Sequence, residues 1–457
     1  MRNNRQRQPR LWKLLIALCS GIFLARAGHA QSADALIDKL VEKGILSTKE
    51  ANQLRDDAAK TTAQSYTVKS GVPEWVSALK FGGDFRGRFE GFYSENDDFT
   101  DRSRLRYRLR FGVTASLFEN FEVGLRLGSG DVDSYPTSGI DPISNNQSFQ
   151  NNASKKGIFL DLAYAKWGFL KTPDTSASFT FGKMENPFTF STMVFDHDYT
   201  PEGLGLESRI KLSEKHVLKP NAGFFILDEL AASGEDPMLA GGQATLESTW
   251  SKRISTSAGV GVLGILNPQM LSNTSVPNIG VGNTRESDGT LAYDFYPVVG
   301  DASLTYSLDS FPLYKGPFPI RVFGEYMLNS GAPSGADNYG YSTGVLFGKS
   351  GKKGAWDLSY TYTWLGANAW WEELPESDFG AYWKTAPAYS GKSADYYSGT
   401  NVKGHTVRLA YSPYNFLTLS IKWFYTDLIS TENMATQPPA EGSTSMHRLQ
   451  VDAVLKF

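Results

Sequence analysis

Arg102-Ser103-Arg104-Leu105-Arg106-Tyr107-Arg108-Leu109-Arg110-Phe111-Gly112-Val113 is the stretch whose reading decides the fold. Arginine recurs at every second position from Arg104 to Arg110, and the residues between are Leu105, Tyr107 and Leu109. In an extended strand, residues i and i+2 share a face, whereas a helix would scatter these arginines around its circumference. The stretch therefore predicts a strand with one charged face and one apolar face. It also exceeds the about five or six residues typical of soluble strands and reaches the about nine to eleven that a tilted membrane-crossing strand needs.

The same period recurs along the chain. Trp356, Leu358, Tyr360, Tyr362 and Trp364 alternate with Asp357, Ser359, Thr361 and Thr363. Leu417, Leu419, Ile421, Trp423 and Tyr425 alternate with Thr418, Ser420, Lys422 and Thr426. The pattern predicts sixteen strands, at 79–92, 102–118, 120–129, 157–170, 175–184, 202–213, 216–228, 240–251, 253–265, 295–308, 318–328, 339–349, 355–367, 402–413, 416–428 and 446–457. The connections alternate in length. Those near Glu119, Pro173, Glu214, Lys252 and Pro413 are tight, and those at 130–156, 185–201, 266–294 and 368–401 are long. A soluble sandwich gives no reason for that rhythm, whereas a membrane barrel has short turns at one end and long loops at the other. Lipid offers no partner for a free strand edge, so the sheet must close. The expected fold is all-β: a transmembrane antiparallel up-and-down barrel of about sixteen strands over 79–457.

The residues before the barrel read differently. Residues 1–30 have a basic start (Arg2, Arg5, Arg7, Arg10, Lys13), an apolar run from Leu14 to Leu24 and small residues at Gly28 and Ala30. That is the layout of a secretory signal peptide, with an apolar run too short to span a bilayer. Cys19, the one cysteine, lies inside it, so the exported chain is expected to hold no disulfide. Residues 31–60 read as a short periplasmic helical segment: Leu36, Ile37, Leu40 and Val41 recur at helical spacing, and Ser47 with Glu50 forms a capping box. Self-association, a periplasmic partner and packing beneath the barrel all remain open for it. Residues 61–78 read as a linker. The whole chain is −3 by formal charge, and the signal segment holds basic residues without an acid, so the remainder is more acidic still. That argues against a nucleic-acid binder.

The layout resembles the bacterial putative-porin families of the outer membrane, with some similarity to phosphate- and carbohydrate-selective porins. The resemblance is carried by the signal segment, by Ala35-Leu36-Ile37 through Gly44-Ile45-Leu46-Ser47, by the alternating strands and by the terminal Phe457. Its most specific piece is Gly182-Lys183-Met184-Glu185-Asn186-Pro187-Phe188, which follows the strand containing Asp161 to Trp167. The resemblance implies a Gram-negative outer-membrane protein working by passive diffusion of ions and small hydrophilic solutes, as a homotrimer. It supplies no particular solute. Phe457 resembles the terminal signal read by the barrel assembly machinery.

Arg86, Arg88, Arg104, Arg106, Arg108, Arg110 and Arg126 fall on the predicted inner faces of the first three strands, and Arg448 lies on the last, which meets the first if the barrel closes. They are expected to form a basic pore wall, with Asp84, Glu90 and Glu122 interspersed. The connection from Glu185 to Pro201 carries Asp196, His197 and Asp198. In porins the third external loop folds inward, so this loop is expected to narrow the channel. An acidic loop opposite an arginine wall would set a transverse field and bias ion choice.

No enzyme chemistry is expected. Gly259-Val260-Gly261-Val262-Leu263-Gly264 matches a dinucleotide fingerprint but lies within an alternating strand with no helix after it. His197, His216, His405 and His447 show no zinc spacing, so no metal and no cofactor are expected; His197 reads as a solvated loop residue. Asp131 and Asp133 read as a solvated turn. Two competitors stay open beside the diffusion channel: a structural or adhesion barrel with a plugged lumen, and a barrel hydrolase.

Overall fold

A computed structural model describes residues 73–95, 101–130, 144–272, 281–382, 396–430 and 443–457. The predicted signal peptide, the helical segment and most of the linker lie outside the described residues, as do Cys19, Asp131 and Asp133.

The described chain is an antiparallel barrel of sixteen strands. They are β1 (Val76–Ser94), β2 (Arg102–Leu117), β3 (Phe121–Gly130), β4 (Gly157–Lys171), β5 (Thr175–Lys183), β6 (Glu202–Lys211), β7 (His216–Ile226) and β8 (Met238–Thr249). There follow β9 (Ile254–Leu266), β10 (Pro297–Leu308), β11 (Phe318–Asn329), β12 (Tyr339–Gly348), β13 (Ala355–Leu365), β14 (Val402–Tyr414), β15 (Leu417–Leu428) and β16 (Met446–Lys456). Every predicted strand is present, with ends displaced by at most three residues. Each strand pairs with its neighbours in sequence, and β1 also pairs with β16 from Asp84↔Lys456 to Ser94↔Met446. That last pairing closes the sheet and leaves no edge.

Burial along β2 runs opposite to that of a soluble strand. Leu105, Leu109 and Phe111 are 52%, 44% and 46% exposed, whereas Arg106 and Arg108 are 6% exposed. Apolar side chains face outward and charged ones inward, as lipid outside and polar contents inside require.

At one end the turns are short. Glu119 and Asn120 take left-handed backbone between β2 and β3, at φ 57° and 63°. The 309–317 turn is longer because it builds an aromatic cluster: Phe311 stacks on Phe318 at 4.1 Å, and Trp356 packs beside both. β14 runs one residue past Pro413, so its turn falls at 415–416. At the other end lie eight longer connections, L1 to L8, of which L2 (131–156), L3 (184–201), L5 (267–296) and L7 (366–401) matter most here. β2 pairs with β3 only from Arg110 to Ser116. Beyond that, Gln147 and Ser148 of L2 take the vacant side of β2, opposite Tyr107 and Arg106.

Candidate functional site

The inner face of β1, β2, β3 and β16 carries all eight predicted arginines. The β1–β2 register places Arg86 opposite Arg108 and Arg88 opposite Arg106, pairings that would repel on their own. The same register places Asp84 opposite Arg110 and Glu90 opposite Arg104, and β16 places Asp452 opposite Arg88. The charges therefore interleave. Asp84 accepts from Arg110 Nε at 2.7 Å and Arg108 Nη2 at 3.0 Å. Arg88 makes a two-pronged contact with Asp452, 2.8 Å on each side. Glu90, fully buried, accepts from Arg448 Nε at 3.0 Å and Gln450 Nε2 at 2.9 Å, and also from Arg104 and Arg106. Buried charges persist only when paired in this way, and the planar guanidinium suits such forks. Arg126 pairs with Asp161 and Glu185. Arg86 donates to Asn146 of L2 at 2.6 Å.

L3 turns inward from the end of β5. Its first half is apolar. Phe188, Met193, Val194 and Phe195 are buried against the wall of β7, β8 and β9 and against L5 and L7. Glycines in that wall make the seat: a Cβ on Gly261 would lie 2.4 Å from the Phe190 ring, and one on Gly241 would lie 3.3 Å from the Phe188 ring. Thr189 N donates to Gln243 Oε1 at 2.8 Å, and Ser191 N donates to Glu325 Oε2 at 2.9 Å. The second half of L3 is acidic and reaches the arginines. Asp198 accepts from Arg108 Nη1 at 2.9 Å and from Arg110 Nη1 at 3.3 Å.

L7 also enters the interior. Trp370 is fully buried, and its indole Nε1 donates to Val194 O at 2.9 Å. Asp196 N donates to Leu374 O at 2.6 Å, Glu376 N to Thr192 O at 2.9 Å and Ser377 N to Asp196 Oδ2 at 2.8 Å. L3 and L7 are thus laced together by backbone. L7 then adds its own acids to the arginine wall: Asp378 accepts from Arg448 Nη2 at 2.6 Å and Arg88 Nη1 at 3.2 Å. L5 joins through Asn283 N, which donates to Glu372 Oε2 at 2.8 Å.

Ionisation in the loops follows these contacts. Burial opposes charge on Asp378, but Arg448, Arg88 and Lys422 outweigh it and hold the carboxyl well below the usual carboxylate range. Burial opposes charge on Asp198 too, and His197, Arg108, Arg86 and Arg110 overcome it, so this carboxyl is also lowered. At Asp196 the charge of His197 offsets burial only in part. Burial, reinforced by the charge of Glu376, pushes it up to about 7. Partial desolvation works against a charged His197, whose ring stays half exposed, yet Glu376, Asp198 and Asp196 prevail and raise it to about 9. Glu376 is brought down to about 2, burial being outweighed by Lys422 and His197.

Of the predicted residues, the structure brings Arg108 and Arg110 onto Asp198, in direct contact rather than across a gap. Arg104 and Arg106 meet Glu90 instead, and Asp196 meets His197 and the backbone of Ser377. Glu185 sits on Arg126, away from this cluster. Phe457 lies at the seam, where its backbone exchanges hydrogen bonds with Gly83, at 2.9 and 3.1 Å. Asp452, Glu372, Glu376 and Asp378 were not anticipated. One signal for L7 lay in its own sequence: Ala369-Trp370-Trp371 and Leu374 are too apolar for a loop surrounded by water.

Residues 92–264 match the family described as "putative porin". No curated protein matches the chain. Among solved structures, OprB of Pseudomonas putida is similar at 11% identity and TM-score 0.49, over 83% of this chain and 94% of that one. OmpF of Salmonella typhi follows at 10% and 0.45, over 84% and 99%. DcaP of Acinetobacter baumannii, an outer-membrane channel, is similar at 12% and 0.42, over 86% and 99%. Likenesses this distant add nothing to the barrel that the strand register itself establishes. The register of all sixteen strands makes the chain a closed antiparallel β-barrel, and its residues 92–264 are similar to the putative porin family.

Proposed function

We propose that the protein is a passive diffusion channel for ions and small hydrophilic solutes, with L3 and L7 as its constriction and the arginine wall as its charge filter. The observation that carries this reading is Asp198 of L3 seated on Arg108 and Arg110 of β2. A loop held inside the barrel by charge on one wall narrows the passage without sealing it by sheet.

Apart from Arg86, which is buried against Asn146, the wall arginines divide into two sets. Arg88, Arg106, Arg108 and Arg448 keep only 3–7% of their side chains exposed, and their charge is spent on neighbouring acids. Arg104, Arg110 and Arg126 keep 18–20% exposed. The second set is the one a passing ion meets, so it sets selectivity, while the first holds the wall and L3 in place. The exposed Phe457 ring at the seam supports recognition by the assembly machinery, and a homotrimer in outer-membrane lipid belongs to the same reading.

The plugged barrel is the second reading. It is favoured by the apolar cluster that L3, L5 and L7 build inside the lumen around Val194, Phe295 and Trp370, all fully buried. One experiment separates the two: the refolded mature protein in a planar bilayer under a salt gradient. Stepwise conductance supports the channel, with triple steps supporting a trimer. A folded barrel that stays silent replaces the channel with the plugged barrel. In a conducting barrel, Arg110→Ser is expected to lower anion permeability relative to cation, and an unmoved reversal potential would remove the arginine wall from the mechanism.

A further inference from the structure

Asp196, His197 and Glu376 offer one ligand atom each within 4.8 Å of one another, across the junction of L3 and L7. His197 Nδ1 stands 3.7 Å from Asp196 Oδ1 and 3.5 Å from a Glu376 oxygen. The edge of a tetrahedral site with metal–ligand distances of about 2.1 Å is about 3.4 Å, so these separations suit one ion with small side-chain movement. Charge favours a cation here. Asp198 also faces His197, with its Oδ2 4.0 Å from Nε2, but Arg108 and Arg110 already neutralise that acid. The cation facing Glu376 from the wall is Lys422 of β15, 3.7 Å from one carboxylate oxygen. The other oxygen of Glu376 has no hydrogen-bond partner, although the residue is 94% buried by its 6% exposure. An orphaned carboxylate oxygen at that depth is costly unless something positive completes it.

We propose that Asp196, His197 and Glu376 form a binding site for a divalent transition cation of the zinc class, pinning L3 to L7. Two carboxylates and one imidazole fit zinc, manganese or iron(II), whereas calcium and magnesium favour all-oxygen sets. His197 is 53% exposed on its side chain, which leaves an approach for the ion and for a water as fourth ligand. The site needs only the folded loops and not ion flow, so it stands or falls separately from the channel reading.

The test is calorimetric titration of the full folded barrel in detergent with Zn2+ alone, and with Ca2+ in a parallel run. Folding of each variant is checked by its heat-modifiable mobility on gels. One Zn2+ per chain is expected, bound at least about tenfold more tightly than Ca2+. Glu376→Gln, nearly isosteric, and His197→Ala should each weaken Zn2+ binding by about tenfold or more. His216→Ala, on a different part of the wall, should leave it unchanged. Co2+ loaded in place of Zn2+ should give a visible spectrum that His197→Ala abolishes. No Zn2+ uptake by the folded barrel would overturn the proposal, as would uptake untouched by both ligand variants.

Discussion

Two opposite walls of the same lumen hold L3 by different physics. The wall of β7, β8 and β9 is glycine-rich and receives the rings of Phe188 and Phe190. The wall of β1, β2 and β16, half a turn of the barrel away, is a lattice of arginines and acids and receives Asp198. Apolar contact is short-ranged and unforgiving of shape, because an added carbon must displace something. Charge contact tolerates movement but not the loss of a partner. The loop is therefore positioned sterically at its start and electrostatically at its end.

The largest expected effect comes from breaking the charged wall at its most buried point. Glu90→Gln leaves Arg448, Arg104 and Arg106 around a neutral group, and a loss of about 3–5 kcal/mol in folding stability is expected from urea titration of the barrel in lipid. A loss below about 1 kcal/mol would show that water inside the barrel screens the lattice. Disturbing the other wall comes next. Gly261→Ala places a Cβ 2.4 Å from Phe190 and 3.0 Å from Gly242 O. A cost of about 1–3 kcal/mol is expected, with L3 displaced and larger conductance steps if the loop limits flow. Asp198→Asn releases only the charged end, so stability should fall less than in Glu90→Gln, while the reversal potential moves toward anion preference. Equal stability loss in the two would mean that L3 is part of the lattice rather than a tenant on it. The smallest effect is reserved for Asp309→Ala in the turn, whose exposed pair with Arg253 should contribute about 0–1 kcal/mol.

Strand positions were legible because period two leaves no other reading for runs such as Arg104 to Arg110, and because the lipid face forbids polar substitutes. The inner face of the arginines followed from the same parity. The partners did not. Asp378 and Glu376 lie in L7, close to three hundred positions from Arg88 and nearly two hundred from His197, and nothing local in sequence says that a loop folds inward rather than outward. Only the misplaced apolarity of Trp370, Trp371 and Leu374 hinted at it. His197 is half exposed, as a solvated loop residue is, but that Glu376 stands beside it could not be read from the sequence. The Gly259–Gly264 run illustrates the opposite case: its strand context was readable, but its use as a seat for Phe190 required the loop.

The seam between β1 and β16 has a kinetic consequence. Arg448 and Glu90 are 358 positions apart, and their contact bridges the two strands that close the sheet. A contact so remote along the chain forms late, because the intervening segment must be ordered before its ends can meet. The Glu90–Arg448 pair thus behaves as a latch. While the cylinder stands open, Glu90 has only its β2 partners Arg104 and Arg106, and Arg448 stays apart from it; once the terminal strand arrives, the two engage, and reopening must separate them again. Weakening the latch is expected to quicken unfolding far more than it slows folding, so the time for which a single barrel stays shut is set at this seam.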